Sequence, residues 1–266
     1  MKKIKRIKLY VNRSKQAEEV KKEVEAVLKE NRFELVEDDF DLGIAIGGDG
    51  SFLRMVKEND FNSDIFYVGI NAGTLGFLQE IRPEQIYEFA LKLKNQNFQL
   101  EKIGVQETKI YLQNEVVSLL SLNEILIREK DLNTAKLRVE IDGEILEKFV
   151  GDGILISTSI GSTAYNLSFG GSIVYSSLHT LQITPVAPLN SRVYRNLLNP
   201  VIIPEEKIVT IYPENDKKDL MITVDGDNLF YGNVSKIDSC VREKKIQCLR
   251  LTGHSYTQII HEKFLK

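Results

Sequence analysis

Residues 42 to 54 read Leu-Gly-Ile-Ala-Ile-Gly-Gly-Asp-Gly-Ser-Phe-Leu-Arg. An apolar run of strand length ends in three glycines around one carboxylate, Asp49, and an amphipathic segment follows. Glycine opens backbone conformations closed to other residues and lets a ligand approach the main chain. In an open α/β sheet, ligands bind outside the carboxyl ends of the strands, where the next helix points its free N–H groups. A loop of unpaired amides there suits phosphate; a carboxylate suits a metal ion or a proton to be removed. The plainer alternative is a strand-to-helix turn in which Asp49 caps the helix, although a cap alone does not require so many glycines.

The rest of the composition narrows the field. At 266 residues the chain has room for one or two domains, each with its own core. A net charge of −3 gives no electrostatic footprint for nucleic acid, so no nucleic-acid partner is expected. The basic start (Lys2, Lys3, Lys5, Arg6, Lys8) alternates with apolar residues as an edge strand would. No apolar run approaches the roughly 20 residues that span a bilayer, and the N-terminus lacks the apolar centre of a signal peptide. Cys240 and Cys248 match no close metal-ligand spacing. His179, His254 and His261 complete no zinc pattern either. These features read as a cytoplasmic protein with no membrane partner.

Strand-like and helix-like segments alternate over the first hundred residues, which predicts a parallel α/β sheet. Ile4 to Val11 is the first strand, and Ser14 caps a helix carrying Ala17, Val20, Val24, Val27 and Leu28. Phe33 to Val36 and Leu42 to Ile46 follow as strands, with a helix from Ser51 to Glu58. The strand Asp64 to Ile70 ends in a second unusual turn, Asn71 to Phe77, before Pro83 opens another helix. From Leu100 to about Val234 short β-rich runs dominate, among them Val116 to Leu122, Glu124 to Arg128 and Ile154 to Ile156. Asp142-Gly143 between two such runs is a hairpin signal. The expected division is an α/β domain over 1–100, a mainly-β domain over 101–237, and a tail over 238–266 packing back on the first.

Three further clusters are costly to explain by packing alone. Asn123 and Glu124 interrupt an apolar strand, where one of the pair would face the core and need a partner, unless a bulge or edge accommodates it. Gly151-Asp152-Gly153 again brackets a carboxylate with glycines. Residues 157 to 171 combine small hydroxyl side chains, glycines and Tyr165. Amides and hydroxyls suit the polar edges of a nucleotide and a ring suits its base; an unliganded Ser/Thr-rich loop is the alternative.

Gly47-Gly48-Asp49-Gly50, Asn71 to Phe77, Asn123-Glu124, Gly151-Asp152-Gly153 and Gly161-Ser162-Thr163-Ala164-Tyr165 occur in the order found in NAD kinases, which the chain resembles through Val224-Asp225-Gly226. The glycine-rich tetrad alone is shared with diacylglycerol, sphingosine and 6-phosphofructokinase relatives, whereas the Asn-Glu pair with the later run is more specific. The resemblance implies an N-terminal α/β domain plus a β-sandwich-like domain, and phosphorylation of the adenosine ribose 2′-hydroxyl of NAD by ATP or polyphosphate. It implies Asp49 as the base, with Gly50 beside it and Arg54 near the phosphates. Asn123 and Glu124 would bind adenine and sugar hydroxyls, with Asp152 at the nicotinamide end. Thr163, Ala164, Tyr165, Asn166, Leu167 and Ser168 would form the central dinucleotide-binding run, and Ala187 a backbone contact. Magnesium or another divalent cation with the donor, and assembly into a homo-oligomeric dimer or tetramer, are also implied; no protein metal ligand is singled out.

Three positions depart from the family pattern. Ser159-Ile160 stands where Pro-Thr is common, Val150 where a basic residue is frequent, and Asp227 where Gln is frequent. The chain lacks a P-loop, so a triphosphate would rest on the loops at Gly47 and Asn71. A lipid or sugar kinase would explain Asp49 but leave Asn123, Glu124 and 163–168 without a task. A non-catalytic dinucleotide sensor would leave Asp49 without one.

Overall fold

The computed structural model describes residues 3–73, 76–131, 133–214, 219–251 and 255–266. It divides into two compact units, residues 1–103 with 245–266, and residues 104–244.

The first unit opens with β1 (Arg6–Val11), α1 (Lys15–Glu30), β2 (Glu34–Leu35), β3 (Leu42–Gly47) and α2 (Asp49–Glu58). It continues through β4 (Phe66–Asn71), α3 (Ile86–Lys94) and β5 (Gln99–Ile103). The Ser14 hydroxyl accepts from the Ala17 amide (3.2 Å), which caps α1 as the sequence predicts. Ala17, Val24 and Leu28 of α1 and Ile86, Phe89, Ala90 and Leu93 of α3 are buried against Ile44, Val68 and Ile70 of the sheet. Helix α2 starts at Asp49, two residues ahead of the predicted Ser51, because Gly48 takes the extended cap conformation and frees Asp49 for the first turn. The strand expected over Phe33 to Val36 shortens to β2, two residues long.

The second unit is antiparallel throughout. Its strands are β6 (Gln106–Tyr111), β7 (Val116–Ser121), β8 (Glu124–Glu129), β9 (Ala135–Ile141), β10 (Glu144–Gly151) and β11 (Gly153–Thr158). A short helix, α4 (Tyr165–Ser168), precedes β12 (Thr180–Val186), β13 (Val201–Pro204), β14 (Val209–Pro213), β15 (Leu220–Val224), β16 (Asp227–Tyr231) and β17 (Lys236–Val241). Among the described residues these form two sheets, β10-β9-β14-β17-β6-β7 and β13-β12-β11-β8-β15-β16. Ile110, Leu137, Val139 and Ile211 from one sheet share a core with Ile125, Ile127, Ile154, Ile156 and Ile222 from the other, as in a β-sandwich. Asp142 (φ 49°) and Gly143 (φ 83°) make the predicted hairpin turn.

The chain then returns to the first unit as β18 (Ile246–Arg250) and α5 (Tyr256–Phe264). Residues 238 to 244, grouped by sequence with the returning tail, lie with the second unit because β17 pairs with β6 and β14. Strand β18 runs parallel to β4 and antiparallel to β5, giving the order β2-β1-β3-β4-β18-β5. That order reverses between β1 and β3, the switch point at which open α/β sheets bind ligands, and the glycine loop leaves the carboxyl end of β3 there.

Arg250 pins β18 in place. Its Nε donates to Glu101 (2.6 Å) and its Nη1 to Glu80 (3.3 Å), while Glu80 also accepts from the Leu251 amide (2.7 Å). Removing one partner of a buried ion cluster leaves uncompensated charge. Arg250→Met is therefore expected to destabilise the protein by about 3–5 kcal/mol in denaturant unfolding. A loss below about 1 kcal/mol, the range of a solvated surface pair, would contradict that role.

Candidate active site

The site in the first unit starts at Asp49. As the first residue of α2 it places a carboxylate at the helix N-terminus, favourable for its charge. The side chain does not cap α2. Its Oδ2 accepts from the Phe77 amide and its Oδ1 from the Leu78 amide, both at 2.9 Å. Gly76 is required beneath it, since a Cβ there would overlap the Asp49 carboxylate. The two glycine-bearing turns are thus one assembly, with Asp49 fastened to the end of the turn that Asn71 begins. Thr74 and Leu75 of that turn, like His254, lie outside the described residues. Phe77 packs against Tyr256 (5.6 to 6.0 Å separate it from the rings of Phe264 and Tyr256) and so ties α5 to the same segment. Gly50 is exposed, and Arg54 lies on the exposed face of α2.

In the second unit Glu124 opens β8 and is only 6% exposed, with Asn123 buried before it. The Asp225 carboxylate accepts from three consecutive amides, Leu122 (2.8 Å), Asn123 (2.8 Å) and Glu124 (3.1 Å). Burial, and then the nearby Asp225 charge, push the Glu124 carboxyl up to about 8, against a smaller opposing pull from the Tyr165 backbone N–H. Its Oε2 has no hydrogen-bond partner among the described residues. A buried carboxyl oxygen left this way is costly unless a ligand supplies a donor.

The run 163–168 is brought beside that pair. Gly161 packs directly on the Asn123 backbone, where a Cβ would overlap the Asn123 carbonyl. The Thr158 amide also donates to that carbonyl (2.9 Å). Tyr165 is 42% exposed, its ring 4.7 Å from that of Phe169 and its hydroxyl accepting from Arg128 (3.2 Å). Thr163, Ala164 and Leu167 are half-buried and Ser168 is exposed. Asn166 differs from its neighbours. It is fully buried, its amide donates to the Ser162 carbonyl (3.2 Å) and its oxygen accepts from Thr184 (2.6 Å), so its side chain holds the loop together.

Asp152 is exposed between two glycines, and its amide donates to Val186 (3.0 Å). Ala187 is exposed with a left-handed backbone (φ 44°). Of the departures from the family pattern, Val150 is buried and its backbone is bound by Asn196, so no cation could point outward from this strand position without repacking. Ser159 is hydrogen-bonded to Thr180 and turns the chain without proline. Asp227 is exposed at the start of β16.

Sequence reading missed the role of Asp225, because Asp-Gly after a strand reads as an ordinary hairpin turn; its φ of 45° and that of Gly226, 93°, are those of such a turn. The amides of Phe77 and Leu78 carry no side-chain signal at all. Cys248 is buried with its thiol pushed up to about 12 by desolvation, which leaves it without thiolate chemistry near neutral pH. Among the described residues no cluster of three His, Cys, Asp or Glu could hold a metal ion.

A parallel-sheet unit with a carboxylate loop at its switch point, joined in sequence to a sandwich unit with a buried unsatisfied carboxyl, defines a protein built to handle a nucleotide. The ATP-NAD kinase N-terminal domain model matches residues 2–98 and the ATP-NAD kinase C-terminal domain model residues 122–247. The NAD kinase of Finegoldia magna is 39% identical over 97% of this chain and 97% of its own length. That of Streptococcus pneumoniae is 34% identical over 94% of this chain and 92% of its own. Among solved structures, yeast NADH kinase complexed with NADH aligns with a TM-score of 0.85 at 20% identity, covering 99% of this chain and 88% of that one. An NAD kinase from Archaeoglobus fulgidus in complex with ATP aligns with a TM-score of 0.74 at 20% identity, covering 97% and 98%. The chain belongs to the NAD kinase family.

The Glu124 environment has a measurable signature. Below about pH 4.5 the carboxyl is neutral in both folded and unfolded chains. Between there and about 8 only the unfolded chain ionises, so this group's contribution to stability is lost as pH rises and levels off above about 8. Glu124→Gln removes the titration. Its stability relative to the parent is expected to rise between pH 5 and 8, by on the order of 3–5 kcal/mol at full ionisation, in urea unfolding across that range. A pH-independent difference would mean that Glu124 ionises freely in the folded protein.

Proposed function

We propose that this protein is an NAD kinase that transfers the terminal phosphoryl group of ATP, or of polyphosphate, to the adenosine ribose 2′-hydroxyl of NAD, giving NADP. Family membership supports the reaction class. The observation that carries the choice of acceptor is the buried, unpartnered Oε2 of Glu124 against the Gly161–Tyr165 turn. A lipid or sugar acceptor leaves that oxygen without a purpose, whereas paired ribose hydroxyls give it donors. A sensor without catalysis would have no use for Asp49.

Phosphoryl transfer needs little covalent help; positioning and charge stabilisation do most of the work. Asp49 accepts one amide hydrogen bond on each oxygen, which fixes its orientation and leaves lone pairs on both for the ribose hydroxyl. In that role it takes the hydroxyl proton as the bond to phosphorus forms, with Gly50 and the N-terminal amides of α2 beside it. Asn123 and Glu124 hold the adenosine sugar, Asp152 the nicotinamide end, and Thr163, Ala164, Tyr165, Leu167, Ser168 and the Ala187 backbone the remaining surface, with Asn166 keeping that surface in shape. Arg54, exposed on α2, is placed for phosphate contacts.

A lone carboxylate beside a phosphate loop fits magnesium, which keeps several waters and binds through few carboxylates plus substrate phosphates. Asp49 would hold it, and bound there it would neutralise charge on the triphosphate. Self-association into a dimer or tetramer is supported by the exposed apolar side chains of Val193, Leu197 and Leu198. A cytoplasmic setting suits two unbridged cysteines, and among the described residues no helix is long and apolar enough to cross a membrane.

Product analysis with NAD and ATP tests the reading directly, NADP being the expected product. Asp49→Asn is expected to lower kcat by about 10²- to 10⁴-fold with the KM for NAD little changed. Because the Asn NH2 cannot accept from one of the two loop amides, about 1 kcal/mol of stability should be lost as well. Near-normal kcat at saturating substrates would remove Asp49 from the chemistry. Tyr165→Ala is expected to raise the KM for NAD several-fold and leave that for ATP unchanged, in line with an aromatic contact of about 0.5–1.5 kcal/mol. The ring's exposure means little cavity is left behind, so a large fall in Tm affecting both substrates alike would assign it to packing instead.

A further inference from the structure

Helix α5 closes the chain over the segment that supplies both donors to Asp49. It grips residues 77 to 82 at either end. The Phe77 ring lies 6.0 Å from that of Tyr256 and 5.6 Å from that of Phe264, and Arg82 forms an ion pair with Glu262. Between those ends Glu80 accepts from the Leu251 amide (2.7 Å), where the tail leaves β18. Tyr256 is the first residue of α5 and Phe264 the last, roughly 12 Å apart along its axis, so the Phe77 ring is set between the two ends of the helix.

The Phe77 and Leu78 amides reach one oxygen of Asp49 each, so together they set the plane of the carboxylate. The two donors are not equally secured. Leu78 is buried, and the chain after it returns to β4, where the Glu80 and Ile81 amides donate to the Gly69 carbonyl (2.9 and 3.0 Å). Phe77 is half-buried, and among the described residues its ring meets other rings only on α5. Without those rings the donor to Oδ2 is loosened while the donor to Oδ1 stays, and the carboxylate can turn about the bond that remains. The helix itself is lightly held. Ile259 is its one buried residue, Phe264 is 41% exposed, and a cavity of about 430 Å³ lies beside Ser255, Gln258 and Ile259. A segment with so few buried contacts can be perturbed without opening the core of its unit.

We propose that α5 is a positioning element for the reaction: Tyr256 and Phe264 seat Phe77, and Phe77 sets the orientation of the Asp49 carboxylate. Tyr256 and Phe264 act through Phe77 rather than on the reacting atoms. The proposal rests on the reading of Asp49 as the base. A base turned away from the ribose hydroxyl costs rate rather than binding, because the substrate is still held by its own contacts.

Steady-state NADP formation by the full chain, measured well below Tm, reads the coupling. Phe264→Ala is expected to lower kcat about 10- to 100-fold, the scale of a misplacement of about 1 Å, with the KM for NAD within about twofold of the parent. Phe264→Tyr keeps the ring and is expected to keep kcat within about twofold. In an Asp49→Asn background Phe264→Ala should cost nothing further, because the group it positions has already gone. A helix that served stability alone would lower Tm and leave kcat at saturating substrates unchanged. A kcat for Phe264→Ala within about twofold of the parent therefore overturns the inference. So does a loss in the Asp49→Asn background as large as that in the parent, which would mean that α5 acts elsewhere. Should Phe264→Ala not fold, Tyr256→Leu at the other end of the helix is judged by the same outcomes. Near-normal kcat in Asp49→Asn would end the base reading and this inference with it, whereas loss of kcat there beside a fully active Phe264→Ala ends the inference alone.

Discussion

The candidate binding surface of the second unit depends on one carboxylate accepting three backbone hydrogen bonds. Asp225, at a tight turn between β15 and β16, receives the amides of Leu122, Asn123 and Glu124. Those amides lie where the chain passes from β7 into β8, and without an acceptor they would be unpaired in the interior. Fixing them fixes where Asn123 places its carbonyl, which in turn receives Thr158 and lies against Gly161. It also sets one negative charge beside the Glu124 side chain, which adds to the burial that chiefly pushes that carboxyl up to about 8. Structure and chemistry share the interaction.

The first unit repeats the device with different parts. Asp49 accepts from Phe77 and Leu78, and a turn remote in sequence becomes part of the glycine loop. Asp49 reads as a reactive group and Asp225 as a turn residue, yet both are structural acceptors of backbone N–H groups. Carboxylates bound by backbone N–H groups are oriented without side-chain entropy, which is what a reacting group needs.

Much of this was legible beforehand. The parallel order of the first unit followed from apolar strands alternating with helical spacing, as in Leu42 to Ile46 followed by Phe52, Met55 and Val56. Asn123 and Glu124 stood out because polar residues in an apolar strand require an explanation, and Glu124 proved to be a buried carboxyl with an open oxygen. What stayed hidden has a common cause: it depends on backbone groups and on pairings far apart in the chain. Asp225 serves residues about a hundred positions earlier, and its Asp-Gly signature is satisfied locally by a hairpin. Asn166 belongs to a run that resemblance marks for the dinucleotide, and its side-chain bonds to Ser162 and Thr184 are internal. The expected boundary after residue 237 falls inside the strand Lys236–Val241, because sequence shows its β character but not its neighbours.

The position of β18 has a consequence for how the molecule is made. During synthesis β4 and β5 leave the ribosome unable to meet, because the strand that belongs between them follows only after residues 104–244. Until then β4 presents an open, apolar edge of the kind that invites wrong pairing. The intervening residues 104–244 can close their own sandwich in the meantime, since all their strands pair among themselves. The unit whose translation starts earlier is thus the one completed later, and the nascent chain must keep its apolar edge guarded while residues 104–244 are made.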